Sequence, residues 1–309
     1  CGTPCSFEYS LRTHYTSLFS KTIPPSFLYQ PTICLSCNVN YLANNSPESV
    51  LGNLCGHLKY NEPNQHYTYL SNKINTHFSS FKQTTIYKFS PKDDELARSI
   101  YMHDTSRYSI YPDYLSPSLL PNLRIDVNSL LICNRYLEHI NSYSYLQLIF
   151  KTLHSSNSFI YFEILDFKSL AHSGNFSFIW NERVSYPTEL QFSIFLQKQN
   201  LSFQKIVYPE MQVTETFLSF LCAPSSLKIP RFSFSSSVNA GVPDFSLSDL
   251  QHQILGHIPL LLSQASRLSF YGIGNKSMQL SLYIRALFPS LPFSFFDGND
   301  LKIGANWLG

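Results

Sequence analysis

Four cysteines near the start of the sequence have the spacing of a zinc site. Cys1 and Cys5 form a C-x3-C pair, and Cys34 and Cys37 form a C-x2-C pair. Two such pairs, each in its own turn, can place four thiolates tetrahedrally around one zinc ion. The sequence therefore predicts a zinc-binding module within the first 60 residues.

Alternatives to this ligand set stay open. Cys55 and His57 could bind zinc together with Cys34 and Cys37, and a further alternative is that the cysteines are unrelated to one another. The chain has seven cysteines, an odd number that suits a reducing compartment better than a disulfide framework. We therefore expect a cytoplasmic protein.

A second candidate site follows a predicted strand near the middle of the chain. Residues 129–133 form a short apolar run of strand length, which Asn134 and Arg135 interrupt before apolar positions recur with a helical period. In a parallel sheet, ligands bind beyond the carboxyl ends of the strands. Cys133, Asn134 and Arg135 would then lie at the rim of a site. The alternative is one more strand, turn and helix that binds nothing.

Composition limits the classes of function. A chain of 309 residues should hold about two domains. Its net charge is +2 without a basic run, which argues against nucleic acid as the main partner. No stretch reaches the roughly 20 apolar residues of a transmembrane helix. The chain opens on Cys1 rather than Met, so we expect a processed or truncated product; no feature predicts an oligomeric state.

Several segments, in their order along the chain, resemble one protein family. IPPSFL, TICLSCNVNYL, HYTYLSNKINTHF, ICNRYLEHI and FIWNERVSYPT are similar to class I methyltransferases that use S-adenosylmethionine, and more narrowly to the zinc-containing C-methyltransferases of nucleotide-linked deoxysugars. The resemblance implies an α/β protein with a zinc-binding module at 1–60, a class I (Rossmann-like) methyltransferase domain at 61–224 and a truncated Rossmann-like carboxyl-terminal domain at 225–309.

The resemblance places the S-adenosylmethionine site after a strand predicted at 85–89. The family has a glycine-rich turn there, whereas this sequence has Ser90, Lys92 and Asp94 in place of glycines, and Asp93 alone matches. A side chain at a turn that requires positive φ costs on the order of 1–2 kcal/mol. The turn therefore either binds the cofactor in an altered geometry or has lost it.

The family also has a carboxylate for the ribose hydroxyls at the end of the next strand, where this sequence has Tyr111, with Asp113 two residues further on. The cofactor-binding residues that the resemblance implies are Phe89, Ser90, Asp93, Tyr111, Cys133, Asn134 and Arg135.

Two segments carry the catalytic residues that the resemblance implies. In HYTYLSNKINTHF a tyrosine, Tyr69 or Tyr67, would reach the active site. In FIWNERVSYPT, Glu182 and Tyr186 match residues that deprotonate and position the acceptor sugar, while Arg183 replaces a His. Arginine stays protonated, so Arg183 would clamp a phosphate or carboxylate of the substrate, and Glu182 is the remaining candidate base.

The rest of the sheet can also be predicted. Residues 157–167 should form a central strand, with Glu163 and Asp166 near its end, where the family has similar acids; the alternative is a pair of solvated loop carboxylates. Strands at 203–208 and 216–222 should form the antiparallel hairpin that closes this kind of sheet. Before them, the helix that follows Thr188 should begin with a capping box completed by Gln191.

Near the carboxyl terminus, RLSFYGIGNKS predicts a strand, a G-x-G-x-x-S turn and a helix, followed by the strand PFSFF and Asp297. This is a weak dinucleotide fingerprint, and it supports a nicotinamide enzyme as a third hypothesis. The resemblance implies instead a domain that frames a sugar nucleotide, with Gly272 and Gly274 in a close-packed turn.

Two hypotheses of function lead. The first is methyl transfer from S-adenosylmethionine to a carbon of a nucleotide-linked sugar, with Glu182 and either Tyr69 or Tyr67 removing a proton beside a ketone. The second is a catalytically inactive homologue that acts as a binding or scaffold protein.

Overall fold

The computed structural model describes residues 64–79, 81–140, 143–172, 185–207 and 217–227, separate residues and short runs between 262 and 296, and the backbone of five strands among the first 42 residues. The chain divides into two compact units. The first contains Cys1–Gly2, His57–Asp166 and Pro187–Val242, and the second contains Thr3–Gly56, Phe167–Tyr186 and Pro243–Gly309. The domain boundaries predicted at 60 and 224 stay predictions.

The elements are numbered in chain order. The strands are β1 (Cys5–Phe7), β2 (Leu11–His14), β3 (Ser26–Tyr29), β4 (Pro31–Cys34), β5 (Asn40–Leu42), β6 (Thr84–Lys88), β7 (Tyr108–Tyr114), β8 (Leu130–Asn134), β9 (Phe159–Leu165), β10 (Ser185–Tyr186), β11 (Leu201–Ile206), β12 (Phe217–Pro224), β13 (Leu268–Tyr271) and β14 (Phe293–Phe296). The helices are α1 (Asn64–Phe78), α2 (Asp94–His103), α3 (Tyr143–Ser156), α4 (Phe167–His172) and α5 (Glu189–Lys198).

The first unit is built on a six-stranded sheet in the order β11-β12-β9-β8-β6-β7. Strands β7, β6, β8 and β9 run parallel to one another. Strand β12 runs antiparallel to both β9 and β11. The predicted strands and the antiparallel hairpin at one edge are therefore confirmed, and the sheet is Rossmann-like.

Hydrophobic residues cover both faces of this sheet. Strands β8 and β9 are buried along their whole length, as expected for central parallel strands between two helical layers. In β6, Ile86 faces the core cluster formed with α1 and α2, whereas Tyr87 faces the cluster formed with α3 and α5. The alternation of a strand thus divides its side chains between the two cores.

Helix ends follow the sequence signals. The capping box of α5 is confirmed, because Thr188 Oγ1 accepts a hydrogen bond from Gln191 N at 3.4 Å and Gln191 Oε1 accepts one from Thr188 N at 2.9 Å. After α3, Asn157 takes a left-handed conformation with φ 47°, which is a common way to end a helix.

The second unit contains smaller sheets. Strands β1, β4, β5 and β10 form one antiparallel sheet, in which Cys5 pairs with Cys34. Strands β2 and β3 form a hairpin. Strands β13 and β14, both predicted, pair in parallel over Leu268–Tyr271 and Phe293–Phe296.

No helix in the part of the chain that the structure describes combines the length and the hydrophobicity needed to cross a membrane.

Candidate functional site

The two predicted cofactor segments meet at the centre of the first unit's sheet. Strand β7 lies on one side of β6 and strand β8 lies on the other, so the chain reverses its direction of travel across the sheet between β6 and β8. Such a switch point leaves a crevice beyond the carboxyl ends of the strands, where α/β proteins bind ligands. Phe89, Ser90 and Asp93 follow β6, and Cys133, Asn134 and Arg135 end or follow β8.

Asp93 joins the two segments. Its carboxylate is fully buried and accepts hydrogen bonds from the backbone N–H groups of Phe89 at 2.7 Å, Ser90 at 2.8 Å and Asn134 at 2.8 Å. Burial raises the pKa of Asp93 to about 7, and the N–H groups of Asn134, Ser90 and Phe89 oppose this increase. One side chain therefore fixes the turn after β6 against the end of β8.

The turn after β6 does not need glycine. Ser90 is extended with φ −152°, Asp93 has φ −83° and Asp94 has φ −59°. Among the described residues, the non-glycine positions with positive φ lie elsewhere. The expectation that side chains in this turn carry a conformational cost was therefore wrong, because a short 3₁₀ turn at Pro91–Asp93 stands where a left-handed turn was expected.

Asn134 has a buried acceptor at the end of β8 that no described group satisfies. Its side chain is fully buried, and its amide nitrogen donates to the backbone oxygen of Lys92 at 3.4 Å. Its amide oxygen is also buried but has no hydrogen-bond partner in the structure. A buried acceptor left unpaired costs about 1–3 kcal/mol, and a ligand N–H at this position would remove that cost.

Cys133 contributes packing rather than chemistry. Its side chain is buried in the core cluster on the α3 side. Burial, and secondarily the charge of Asp93, raise the pKa of the Cys133 thiol well above its ordinary value, so the reactive thiolate is disfavoured.

The end of β7 differs from the prediction. Lys88 pairs with Tyr114, and the register shifts between Ile86 and Lys88, so the extra residues of β7 form a bulge. Tyr111 lies in this bulge, where its ring stacks on Tyr87 with centroids 5.1 Å apart. The residue at the carboxyl end of β7 is therefore Tyr114 rather than Tyr111.

A lysine, an aspartate and a tyrosine lie together at this end of β6 and β7. Asp94 accepts a hydrogen bond from Lys88 Nζ at 2.7 Å through Oδ1 and one from the Tyr114 hydroxyl at 2.7 Å through Oδ2. Burial and the hydrogen bond to Asp94 raise the pKa of Tyr114 to about 12, so the phenol remains a donor. The Asp94 side chain is 36% exposed.

A buried polar cluster on the other side of the switch point was not predicted. Glu163 in β9 is fully buried, and its Oε2 lies 3.0 Å from His66 Nε2 and accepts a hydrogen bond from the Tyr161 hydroxyl at 3.0 Å. Its Oε1 lies 3.4 Å from Nε of Arg135, whose guanidinium stacks on Phe217 with 5.0 Å to the ring centroid. A charged residue inside the apolar run FIYFEIL was the signal available in the sequence.

Glu163 is therefore not a solvated loop carboxylate, which was one of the two alternatives considered for it. The strand continues to Leu165, so Glu163 lies within the sheet, whereas Asp166 follows it and is partly exposed.

The predicted catalytic residues that the structure describes are divided between the two units. Tyr67 and Tyr69 lie on α1 in the first unit, where Tyr67 is buried and the Tyr69 hydroxyl donates to the backbone oxygen of Val207 at 2.8 Å. Tyr186 belongs to the second unit and is fully buried, with its ring edge-to-face to Phe167 at 5.1 Å. Glu182 and Arg183 lie outside the described residues.

The predicted metal ligands are described only in part. The antiparallel register places the backbone of Cys5 directly opposite that of Cys34, which brings together one member of each cysteine pair. Cys1, Cys37, Cys55 and His57 lie outside the described residues. Within the portion of the chain whose side chains are described, no group of three or more His, Cys, Asp or Glu residues could hold a metal ion.

Comparisons with known proteins find similarity at the level of structure alone. No protein-family model and no curated protein matches the chain. A methyltransferase from Archaeoglobus fulgidus that depends on S-adenosylmethionine is 9% identical, with a TM-score of 0.39 over 53% of this chain and 96% of that one. The magnesium protoporphyrin IX methyltransferase of Synechocystis PCC 6803, solved with S-adenosylhomocysteine, is 8% identical, with a TM-score of 0.35 over 52% and 82%.

The plantazolicin methyltransferase BpumL, also solved with S-adenosylhomocysteine, is 8% identical, with a TM-score of 0.37 over 57% of this chain and 90% of that one. At such scores the likeness says nothing about activity. The first unit is Rossmann-like by its own strand order, with parallel strands followed by the antiparallel β12 beside β9.

Proposed function

We propose that the first unit binds S-adenosylmethionine and acts as a methyltransferase. The observation that carries this proposal is the pairing of the two loops at the switch point, where the Asp93 carboxylate holds the backbone of Phe89, Ser90 and Asn134 and the buried amide oxygen of Asn134 has no partner. The two loops are thus already held in place, and the amide oxygen of Asn134 can accept a hydrogen bond from a donor group of a bound ligand.

The residues present fit the cofactor. The turn at 89–93 has backbone angles that tolerate its side chains, and Asn134 offers an acceptor for an ammonium group. These residues would hold S-adenosylmethionine, which when bound supplies an electrophilic methyl group. The protein's part is to orient the two reactants, which can contribute ~7 kcal/mol or more to catalysis.

We further propose that the acceptor is a carbon of a nucleotide-linked sugar. This finer proposal is supported by the resemblance of the segments that carry Tyr67, Tyr69, Glu182 and Tyr186. In it, Glu182 removes the proton beside the sugar's ketone, a tyrosine orients a hydroxyl, and Arg183 binds a phosphate oxygen.

Zinc binding belongs to the same proposal. Cys1, Cys5, Cys34 and Cys37 would hold one zinc ion as a structural site closed by four thiolates. The facing backbone positions of Cys5 and Cys34 support a set that draws on both cysteine pairs.

A second candidate function is a catalytically inactive binding protein. The observation that favours it is that the chain's own groups span the crevice: Lys92 Nζ donates to the backbone oxygen of Arg135 at 3.3 Å, and Asn134 donates back to Lys92 at 3.4 Å. A ligand entering between these loops would have to replace those contacts.

Titration calorimetry with S-adenosylhomocysteine separates the two candidates. We expect micromolar binding by the unaltered protein and at least about tenfold weaker binding by Asn134→Leu, which removes the unpaired acceptor. The matched control is Asn75→Leu. Asn75 is also a buried amide without hydrogen-bond partners, but it lies near the carboxyl-terminal end of α1 rather than at the end of β8. Absence of binding by the unaltered protein at millimolar ligand would leave the inactive binding protein.

A further inference from the structure

The carboxylate that binds a ribose is missing from the position where it was expected. Tyr111 stacks on Tyr87 within the bulge of β7, and Tyr114 ends the strand. Nucleosides bound at a switch point are commonly held by a carboxylate that accepts hydrogen bonds from the ribose hydroxyls. The acid of β7, Asp113, is exposed and lies in the bulge rather than at the end of the strand, so an acceptor at that end would come from another element.

Asp94 supplies a carboxylate at the required edge. It is the first residue of α2, and its two donors, Lys88 and Tyr114, are the registered last residues of β6 and β7. The carboxylate therefore lies over the carboxyl ends of two neighbouring strands, beside the turn that Asp93 joins to β8. The amide oxygen of Asn134, buried without a hydrogen-bond partner, belongs to the same pair of loops and is an independent sign of a ligand-binding edge.

The contacts of Asp94 leave it able to bind. Each carboxylate oxygen has two lone pairs, and each accepts one hydrogen bond within the protein, from Lys88 or from Tyr114. The two donors fix the orientation of the carboxylate. Because its side chain is 36% exposed, solvent can reach the remaining lone pairs.

We infer that Asp94 is the ribose-binding residue of this protein, and that it accepts hydrogen bonds from the 2′- and 3′-hydroxyls of a bound nucleoside while Lys88 and Tyr114 position it. The inference rests on the proposed function and extends it to a residue on a helix rather than on β7. At this edge a lysine, Lys88, ends β6, and the acid, Asp94, follows the turn.

The test compares two ligands and three proteins by calorimetry: S-adenosylhomocysteine and its 2′,3′-dideoxy analogue, with the unaltered protein, Asp94→Asn and Glu95→Gln. Glu95 is the neighbouring exposed carboxylate, so its variant matches the change in charge. We expect the unaltered protein and Glu95→Gln to prefer the ribose ligand by about tenfold or more, and Asp94→Asn to lose that preference while its affinity for the dideoxy analogue stays the same.

A purely structural role of Asp94 would weaken both ligands equally and would overturn the inference without touching the proposed function. A preference for ribose that persists in Asp94→Asn would do the same. If the unaltered protein binds neither ligand, the proposed function and the inference both fail. Tyr114→Phe, which keeps the aromatic ring under Lys88 but removes the donor to Asp94, should reduce the ribose preference in part.

Discussion

The Nε2 atom of His66 lies 3.0 Å from Oε2 of Glu163, and the side chains of both residues are buried. This contact joins the first turn of α1 to the carboxyl-terminal half of β9. The other oxygen of Glu163 approaches Arg135 at 3.4 Å, immediately after β8. One carboxylate therefore ties together three segments that border the switch point.

The first prediction concerns Glu163→Gln. This change removes the negative charge but keeps the shape, and it breaks the buried ion pair between Glu163 and Arg135. Breaking a buried ion pair by removing one partner typically costs about 3–5 kcal/mol, so we expect a loss of that size in the free energy of unfolding, measured by urea denaturation. Glu95→Gln is the exposed control, with an expected change of less than ~0.5 kcal/mol. Equal effects of the two changes would contradict a stabilising role for the cluster.

The second prediction concerns the pH dependence that Asp93 produces. Its pKa in the folded protein is about 7, above the ordinary value of 3.8. The folded protein therefore binds this proton more tightly than the unfolded chain does. The stability that results is fully present below about pH 4 and is lost as the pH rises through about 7.

Urea unfolding of the unaltered protein and of Asp93→Asn between about pH 4 and 8 checks this prediction, because the variant cannot ionise at that position. The difference between their free energies of unfolding should fall by up to roughly 4 kcal/mol between about pH 4 and 7. The fall is smaller to the extent that the three backbone N–H groups stabilise the ionised carboxylate of Asp93. Above pH 7 the difference should be constant. A difference that is already constant from pH 4 would show that Asp93 is ionised throughout.

The fold could be predicted because its signals are local. The apolar runs of β8 and β9, the capping box at Thr188 and the hairpin of β11 and β12 each depend on residues close together in the chain, and the structure confirms them.

The details of the site could not be predicted in the same way because they depend on contacts between distant residues. The bulge that moves Tyr111 off the end of β7 is set by its register with β6. The burial of Glu163 is explained by partners 97 residues away at His66 and 28 residues away at Arg135 (163 − 135). No local pattern contains that information.

The third prediction concerns the left-handed residue that ends α3. Asn157 has φ 47°, a conformation that asparagine tolerates and that costs alanine on the order of 1 kcal/mol. Asn157→Ala should therefore lower the free energy of unfolding by about 1 kcal/mol, while Asn157→Gly should leave it unchanged or raise it slightly.

The same substitution within α1 provides the control for this prediction. Asn72 is exposed inside that helix, where alanine is the better helix former, so Asn72→Ala should raise stability by up to ~0.7 kcal/mol. Thermal unfolding followed by circular dichroism measures both variants, and a loss of stability in both would show that the backbone conformation at Asn157 is not the cause.

The fourth prediction concerns the zinc content of the full chain. The protein purified without chelator should contain one zinc ion per chain, measured by plasma mass spectrometry, because four thiolates in two short-spaced pairs suit a closed tetrahedral site. Cys34→Ser should lose most of the metal, since serine is a poor ligand for zinc and Cys34 belongs to both possible ligand sets.

Cys55→Ser decides between those sets. If Cys1, Cys5, Cys34 and Cys37 hold the ion, Cys55→Ser keeps a full equivalent of zinc and Cys5→Ser loses it. If Cys55 and His57 complete the site instead, the two results are exchanged, and the facing positions of Cys5 and Cys34 are then only a consequence of strand pairing. The test is informative about structure as well as metal: folding and zinc binding are coupled in small domains, so the variant that loses zinc should also lose protection from proteolysis in its first 60 residues.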